Sequence, residues 1–460
     1  MMILKGKKGR EKFLRMVGKM FIKRLTLLLG IFSLFIVVFS EETTLIIPPF
    51  KHSMGYYKAN STIAKIILKK NVSFERVSGI CALKLKQLDD RTTDKDDAIL
   101  SLFGINNHQI VYNVGLNRIK TYGSKGRGEA PESLYYPTDI VVTPDGELYI
   151  SDTYNFRVLK FLYDEDSLLY ENSFGSFGMD SFSLNLPEGI DYDGVGNLFI
   201  CDSRNNRIVV LNRSFYPFMI LDNIQRPHSI SIVDSKKGYL NLKDRLFLVV
   251  SSDRRRLLKL DFYGNLIKEF FSFDITGYKD VDFNFIDYDQ NGNIYVTDTI
   301  NSCIHKFDSD LRYITSFGRE GSGKNQFYKP EGISIYRKYG QVFISERTGF
   351  QYYWIGVDGY IKEFTPPTIS DTTEGLTISL FTTEQCRVTI QITKDGKFVR
   401  ELTSDLRRNI GLNYIVWDLK DEKGNRIVEN GKYRLKVTLE PLYSSRGYFK
   451  KVFYGEIEKF

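Results

Sequence analysis

Five similar segments of this chain place a polar side chain at one equivalent position, directly after a proline in four of them. The residues at this position are Thr138, Glu188, His228, Asn284 and Glu331. Carboxylate, imidazole and amide groups can bind a ligand or an ion when a fold brings them together. We therefore predict either a ligand-binding site formed by these side chains or the hydrated rim of a channel.

A second polar set recurs a few residues further along the same segments. Its two complete copies are Asp152, Asn155, Arg157 and Asp202, Asn205, Arg207. The carboxylates could serve catalysis, but Asp and Asn also accept hydrogen bonds from turns, and Asn tolerates the left-handed backbone conformation. Because the set returns from one segment to the next, we interpret it as structural.

The histidines and acidic residues give little support for a metal site. Residues 287–298 match the spelling of a calcium loop, but strand-type sequence flanks them, whereas that loop requires flanking helices. The four histidines are His52, His108, His228 and His305, of which only His228 lies at the equivalent position described above. The sequence spells out no Ser–His–Asp or Cys–His arrangement. We predict no metal and no cofactor.

The elements that position these side chains follow from the repeat itself. Equivalent residues at 152, 202, 251, 298 and 346 lie 50, 49, 47 and 48 positions apart, a length typical of one four-stranded sheet. The ending Phe317-Gly318 also occurs as Tyr122-Gly123, which adds a further repeat upstream. The six repeats cover about 74–123, 137–174, 187–221, 227–271, 281–317 and 330–364. Six such units favour closure into a β-propeller, with the five polar side chains around one mouth of its channel.

The repeats resemble NHL repeats. The resemblance rests on Pro187 to Ile190 and Pro330 to Ile333, on an apolar strand that ends in Asp, and on the Asn-x-Arg-aliphatic segment after it. Ser251 and Cys303 depart from this pattern in two copies. The resemblance implies a six-bladed propeller, a fold that often serves as a binding scaffold. Some propellers of this type are lyases with several histidines on a metal, which the single suitable histidine here does not support.

The repeat pattern stops at Pro366-Pro367. Residues 377–440 then alternate apolar and polar positions, as in a small β-sandwich whose core would contain Trp417. Three stretches, 411–418, 421–424 and 431–433, resemble the Ig-like domain of the FlgD type, which ends many exported bacterial proteins. The resemblance implies a bacterial, extracytoplasmic protein and does not by itself imply flagella.

Residues 1–40 have the composition of a secretory signal, with a basic stretch, an apolar run from Leu25 to Phe39 and then Ser40. Met20 is an alternative start. The run is short for a bilayer, so we expect membrane attachment only through an uncleaved signal. The segment holds nine of the 64 basic and one of the 56 acidic residues, leaving 55 of each. A near-neutral remainder predicts no nucleic-acid binding.

These observations predict an all-β protein with a signal at 1–40, an N-terminal segment at 41–73, a six-bladed propeller at 74–364, a linker at 365–376 and an Ig-like sandwich at 377–460. The four cysteines indicate no disulfide framework. We predict an exported, non-enzymatic binding or scaffold protein with a protein or glycan partner in the bacterial envelope, located in the periplasm, at the cell surface or outside the cell. The alternatives are a propeller hydrolase or lyase and a structural envelope or flagellar accessory component.

Overall fold

The computed structural model describes residues 41–49, 58–67, 72–88, 100–114, 118–242 and 246–460. The predicted signal at 1–40 lies outside the described residues. Residues 42–460 form one compact unit. No helix in the described ranges is long and apolar enough to cross a membrane.

Five stretches of chain fold into four-stranded antiparallel sheets whose strands lie side by side in sequence order; we number them blades 1 to 5. Blade 1 contains Val77–Leu83, Ser101–Asn106, Gln109–Val114 and Arg118–Tyr122. Blade 2 contains Ile140–Val142, Glu147–Asp152, Arg157–Asp164 and Ser167–Phe174. Blade 3 contains Pro187–Tyr192, Leu198–Asp202, Arg207–Leu211 and Pro217–Leu221.

The next two blades repeat this arrangement. Blade 4 contains Pro227–Asp234, Leu246–Ser252, Arg256–Leu260 and Leu266–Phe271. Blade 5 contains Phe283–Tyr288, Ile294–Asp298, Cys303–Phe307 and Tyr313–Phe317. Two-residue strands pair in parallel in the loops before blades 2 and 6, at Ser124–Lys125 with Ser133–Leu134 and at Arg319–Glu320 with Gln326–Phe327. The prediction of an all-β, propeller-type chain is confirmed.

Blade 6 differs from the predicted repeat. Its inner strands are Pro330–Tyr336, Gln341–Glu346 and Gly349–Ile355, and its outer edge is formed by Leu45–Ile46 and Lys58–Asn60 from the N-terminal segment. We assigned residues up to 364 to this repeat, but Gly359–Thr365 pairs with Leu376–Thr382 in the C-terminal sheets. Leu45 and Ala59 are buried at this edge and supply its apolar contacts. Their packing explains why the N-terminal strands, and not Gly359–Thr365, form the edge of blade 6.

The innermost strands contact one another in a closed ring, with the strand of blade 6 beside that of blade 1. Hydrogen bonds between blades stabilise this ring: Asp139 Oδ2 accepts from the Ile190 amide at 3.0 Å, and Ser334 Oγ accepts from the Ala82 amide at 2.9 Å. The glycine of the Pro-x-Gly-Ile segment allows the close approach, because a Cβ on Gly332 would lie 2.6 Å from the Ser78 carbonyl oxygen.

Apolar residues of adjacent blades pack face to face, which is why the inner strands are buried on both sides. Phe199 and Cys201 of blade 3, for example, form one cluster with Ile232 and Leu248 of blade 4. Cys201 is fully buried in the second strand of blade 3. The single α-helix in the described ranges is Ser61–Ile67. The 3₁₀ turns are Lys86–Leu88, Thr153–Asn155, Ser203–Asn205, Ser235–Lys237, Ser272–Asp274 and Ser444–Gly447.

The C-terminal part contains two antiparallel sheets around one apolar core that includes the fully buried Trp417. One sheet consists of Gly359–Thr365, Leu376–Thr382 and Gly411–Trp417. The other consists of Lys397–Arg408, Cys386–Lys394, Gly431–Pro441 and Lys451–Lys459, in that spatial order. We call this part the sandwich.

A buried polar cluster joins the sandwich to blade 5. Glu384 of the sandwich is fully buried and accepts a hydrogen bond from Lys306 Nζ at 2.5 Å and from Tyr295 Oη at 3.3 Å. Burial and the nearby Glu384 carboxylate raise the pKa of Asp289, in the hairpin turn of blade 5, to about 7. This turn follows the innermost strand, so the sandwich lies at the end of the channel where that strand finishes.

Candidate functional site

The predicted polar side chains meet where the innermost strands begin, and we call this end of the channel the mouth. Glu188 Oε2 lies 2.7 Å from His228 Nδ1, His228 Nε2 lies 2.6 Å from Asn284 Oδ1, and Asn284 Nδ2 donates to Glu331 Oε2 at 2.8 Å. Thr138 lines the same cavity but bonds to Thr153 instead, with 2.5 Å between the hydroxyl oxygens. Four of the five residues therefore form one hydrogen-bonded chain.

The two carboxylates of this chain differ electrostatically. Burial raises the pKa of Glu188, but His228, Ser203 and Arg254 stabilise the charged form and hold its pKa below the usual value. Burial raises the pKa of Glu331 and outweighs its hydrogen bond from Asn284. We call the chain of Glu188, His228, Asn284 and Glu331 the floor of the mouth; it combines an ionised carboxylate with one that is harder to ionise.

Arginine and tyrosine side chains form the wall of the mouth, around a cavity of about 610 Å³. The guanidinium of Arg76 stacks 4.9 Å from the ring centre of Tyr136, and that of Arg127 stacks 4.7 Å from Tyr135. Tyr154 packs edge-on against both of these rings, and Arg347 lines the cavity as well. No repeat pattern predicted this wall; its signal in the sequence is Tyr135-Tyr136 directly before the opening Pro137.

A fourth arginine lies at the inner edge of the mouth. Arg254 makes a two-point bond to Asp282, with Nε–Oδ1 at 2.6 Å and Nη2–Oδ2 at 2.5 Å. Burial raises the pKa of the Asp282 carboxyl, but Arg254 and Thr299 outweigh burial and hold this pKa below its usual value. The positive charge of Arg254 is therefore balanced by the Asp282 carboxylate.

The recurrent Asp, Asn and Arg set holds the loops that form this wall. Asp152 accepts from the Tyr135 amide at 2.7 Å and from Arg157 Nε at 2.9 Å. The remaining guanidinium nitrogens of Arg157 donate to the Glu129, Ala130 and Ser133 carbonyl oxygens. Asp202 and Arg207 repeat the arrangement in blade 3. The structural interpretation of the set is confirmed.

Blade 5 contains a variant of the same arrangement. Cys303 occupies the arginine position, and His305 takes over the contact with the carboxylate, with Nε2 3.0 Å from Asp298 Oδ2 and Nδ1 2.6 Å from Ser316 Oγ. Asp298, Cys303 and His305 are fully buried and could hold a metal ion by residue type. Asp298 already accepts three hydrogen bonds from residues 300 and 301, and burial raises the pKa of the Cys303 thiol. From these contacts we interpret the cluster as the blade 5 replacement for the Asp–Arg pair of blades 2 and 3.

Below the mouth, the channel narrows to a cavity of about 100 Å³. Its far end is filled by Lys237, which bonds to Asp191 Oδ2 at 2.8 Å, and by Arg337, whose guanidinium stacks 3.8 Å from the Tyr288 ring centre. Burial raises the pKa of Asp139, inside the channel, to about 7. Lys237 belongs to the 3₁₀ turn that follows the innermost strand of blade 4, and it lines the channel cavity.

Residues 287–298, whose sequence matches that of a calcium loop, are divided between two environments. Asp287 lies in the channel and accepts from the Ile335 amide at 2.6 Å. Asp289 caps its own hairpin turn by accepting from the Asn291 and Asn293 amides. Neither carboxylate is arranged as in a single loop around an ion.

These features define a propeller-type protein with NHL-repeat sequence: residues 134–161 match the NHL repeat family. Among solved structures, a streptogramin B lyase is similar at 12% identity over 64% of this chain and 96% of its own, with a TM-score of 0.42. PorZ, a surface component of the type-IX secretion system of Porphyromonas gingivalis, is similar at 12% identity over 78% of this chain and 58% of its own, with a TM-score of 0.39. No curated protein sequence matches this chain.

Proposed function

We propose that this chain is an exported, non-enzymatic binding protein of a bacterial cell envelope, which binds a protein or glycan partner at the mouth. The observation that carries the proposal is the open mouth cavity with its wall of arginines and tyrosines. Wide pockets with a few converging polar groups and aromatic surfaces suit binding. The predicted signal at residues 1–40 supports export.

The bonding of His228 favours binding over catalysis. Both ring nitrogens of His228 are engaged, by Glu188 and by Asn284. A general base must reach the proton it removes, at about 2.6–3.2 Å. In this arrangement the imidazole reaches its two neighbours and organises the floor of the cavity.

Affinity capture from envelope extracts tests the proposal. The full chain serves as bait and is compared with a mouth variant, Arg127→Ala with Tyr154→Ala, and with a control variant, Val195→Ala with Tyr263→Ala. The control residues are exposed and lie in hairpin turns away from the mouth. We expect the control to retain a protein or glycan partner that the mouth variant loses. Equal capture by all three baits would contradict the proposal.

The alternative of a hydrolase or lyase rests on the Glu188–His228 pair, because a carboxylate 2.7 Å from an imidazole nitrogen can orient a catalytic histidine. A stoichiometric metal that is lost when Glu188, His228 and Glu331 are replaced by alanine would favour this alternative. Metal content that stays the same after these substitutions would favour the binding protein.

A further inference from the structure

The wall and the floor of the mouth complement different chemical groups of a ligand. Arg76, Arg127 and Arg347 line the wall, and no carboxylate in the described ranges lies within ion-pair distance of them. A guanidinium binds a carboxylate or a phosphate through two parallel N–H bonds. The wall therefore suits an anion.

Stacking on tyrosine rings orients two of these arginines for an anionic ligand. The Tyr135 and Tyr136 rings lie against one face of Arg127 and Arg76 respectively, at 4.7 and 4.9 Å. A guanidinium held by a ring face keeps its N–H edge free and loses less conformational freedom on binding. Arg157 in turn fixes the loop that contains Arg127, through its bonds to Glu129 and Ala130.

The floor excludes a ligand that is acidic throughout. Glu331 lines the cavity there, and Glu188, next to His228 in the same hydrogen-bonded chain, is held in its charged form. Carboxylates accept hydrogen bonds from hydroxyl groups and repel other anions. The ligand must therefore bring hydroxyl donors to the floor and acidic groups to the wall.

We propose that the mouth binds an acidic polysaccharide, a sugar chain whose residues carry both hydroxyl groups and carboxylates. The proposal rests on the proposed function and narrows its partner from protein or glycan to a uronic-acid glycan. An acidic peptide offers carboxylates to the wall but no comparable set of hydroxyl donors to the floor. A cavity of about 610 Å³ suits a short stretch of such a chain.

Titration calorimetry of the full chain tests this inference with three probes: a galacturonic acid trimer, the neutral galactose trimer and a triglutamate peptide. We expect the uronate to bind at least tenfold more tightly than either of the other probes. Its affinity should fall with added salt, because exposed arginines contribute through screened charge interactions.

Substitutions of arginines in the wall test whether the uronate binds at the mouth. The exposed pair Arg127→Gln with Arg347→Gln should weaken uronate binding at least tenfold. Arg312→Gln, on an exposed arginine of the blade 5 strand connection, should leave it unchanged. Equal affinity for uronate and neutral sugar, tighter binding of triglutamate, or no effect of the wall substitutions would overturn the inference.

The outcomes separate this inference from the proposed function. If the mouth variant loses its envelope partner while no probe distinguishes acidic from neutral sugar, the uronate inference fails and the binding function stands. If the mouth variant captures the partner as well as the control does, the proposed function itself fails.

Discussion

At the residue scale, the charged side chains of the repeat support the site from outside it. Asp152, Asn155 and Arg157 contact no ligand position, but they hold the loop that presents Tyr135 and Arg127. The sequence predicted this structural role because the set recurs from blade to blade. It could not predict the arginine–tyrosine wall, whose residues come from several non-repeating loops and meet only after the ring closes.

Arg157 is the residue whose loss should affect this support most. Removing one partner of a buried ion pair costs about 3–5 kcal/mol, because the other charge stays buried without compensation. We expect Arg157→Met to lower the free energy of unfolding by about 3 kcal/mol in urea titrations. Arg204→Met, on an exposed arginine of blade 3, should change it by less than about 0.5 kcal/mol. Equal effects of the two substitutions would contradict the supporting role.

Asp139 should make stability depend on pH. Its pKa is raised by burial from 3.8 to about 7, so between these values the folded chain holds a proton that the unfolded chain has lost. Stability from this group is therefore full below pH 4 and falls as the pH rises to 7. We expect the melting temperature of the wild type, relative to Asp139→Asn, to fall across this window. A difference that is constant from pH 4 to pH 8 would show that Asp139 does not titrate in this range.

At the element scale, the outer edge of blade 6 depends on two strands that no repeat pattern predicts. The inner strands of each blade were predictable because apolar runs and hairpin turns return with a fixed period. Leu45–Ile46 and Lys58–Asn60 carry no such pattern, yet they complete blade 6. Gly359–Thr365 has the composition of an outer strand, and only its partner shows that it belongs to the sandwich.

Substitution of Leu45 tests how much the N-terminal strands at the edge of blade 6 contribute to stability. Its side chain is 1% exposed and packs in the cluster that contains Tyr353 and Ile355. Truncation of a buried leucine costs about 2–5 kcal/mol. We expect Leu45→Ala to lower the free energy of unfolding by that amount, and Leu169→Ala, on the half-exposed outer strand of blade 2, to change it little. Similar costs at both positions would mean that the N-terminal strand adds no special stability.

At the scale of the whole molecule, the sandwich packs on the propeller at the end of the channel away from the mouth. The cluster of Glu384, Lys306 and Asp289 fixes this contact with charges that are fully buried. The mouth therefore stays open while the far end is filled by Lys237 and Arg337. Sequence patterns predicted both parts of the chain but not their contact, because its residues are single positions in otherwise ordinary turns.

Lys306→Met should weaken the contact between the two parts. It leaves the Glu384 carboxylate buried without its cation, at an expected cost of about 3–5 kcal/mol. We predict a lower melting temperature and faster proteolytic cleavage between the propeller and the sandwich. Lys362→Met, on an exposed lysine of the first sandwich strand, is the matched control and should behave as the wild type. Unchanged cleavage in Lys306→Met would show that other contacts hold the sandwich.

Hydrogen–deuterium exchange of the full chain, with and without its captured partner, tests the mouth as the binding site most directly. We predict slower exchange in the mouth loop at 123–136 and at Arg347 when the partner is bound. Exchange in the hairpin turns at 193–197 and 261–265 should stay the same. Protection confined to those hairpin turns, or to the sandwich, would contradict a binding site at the mouth.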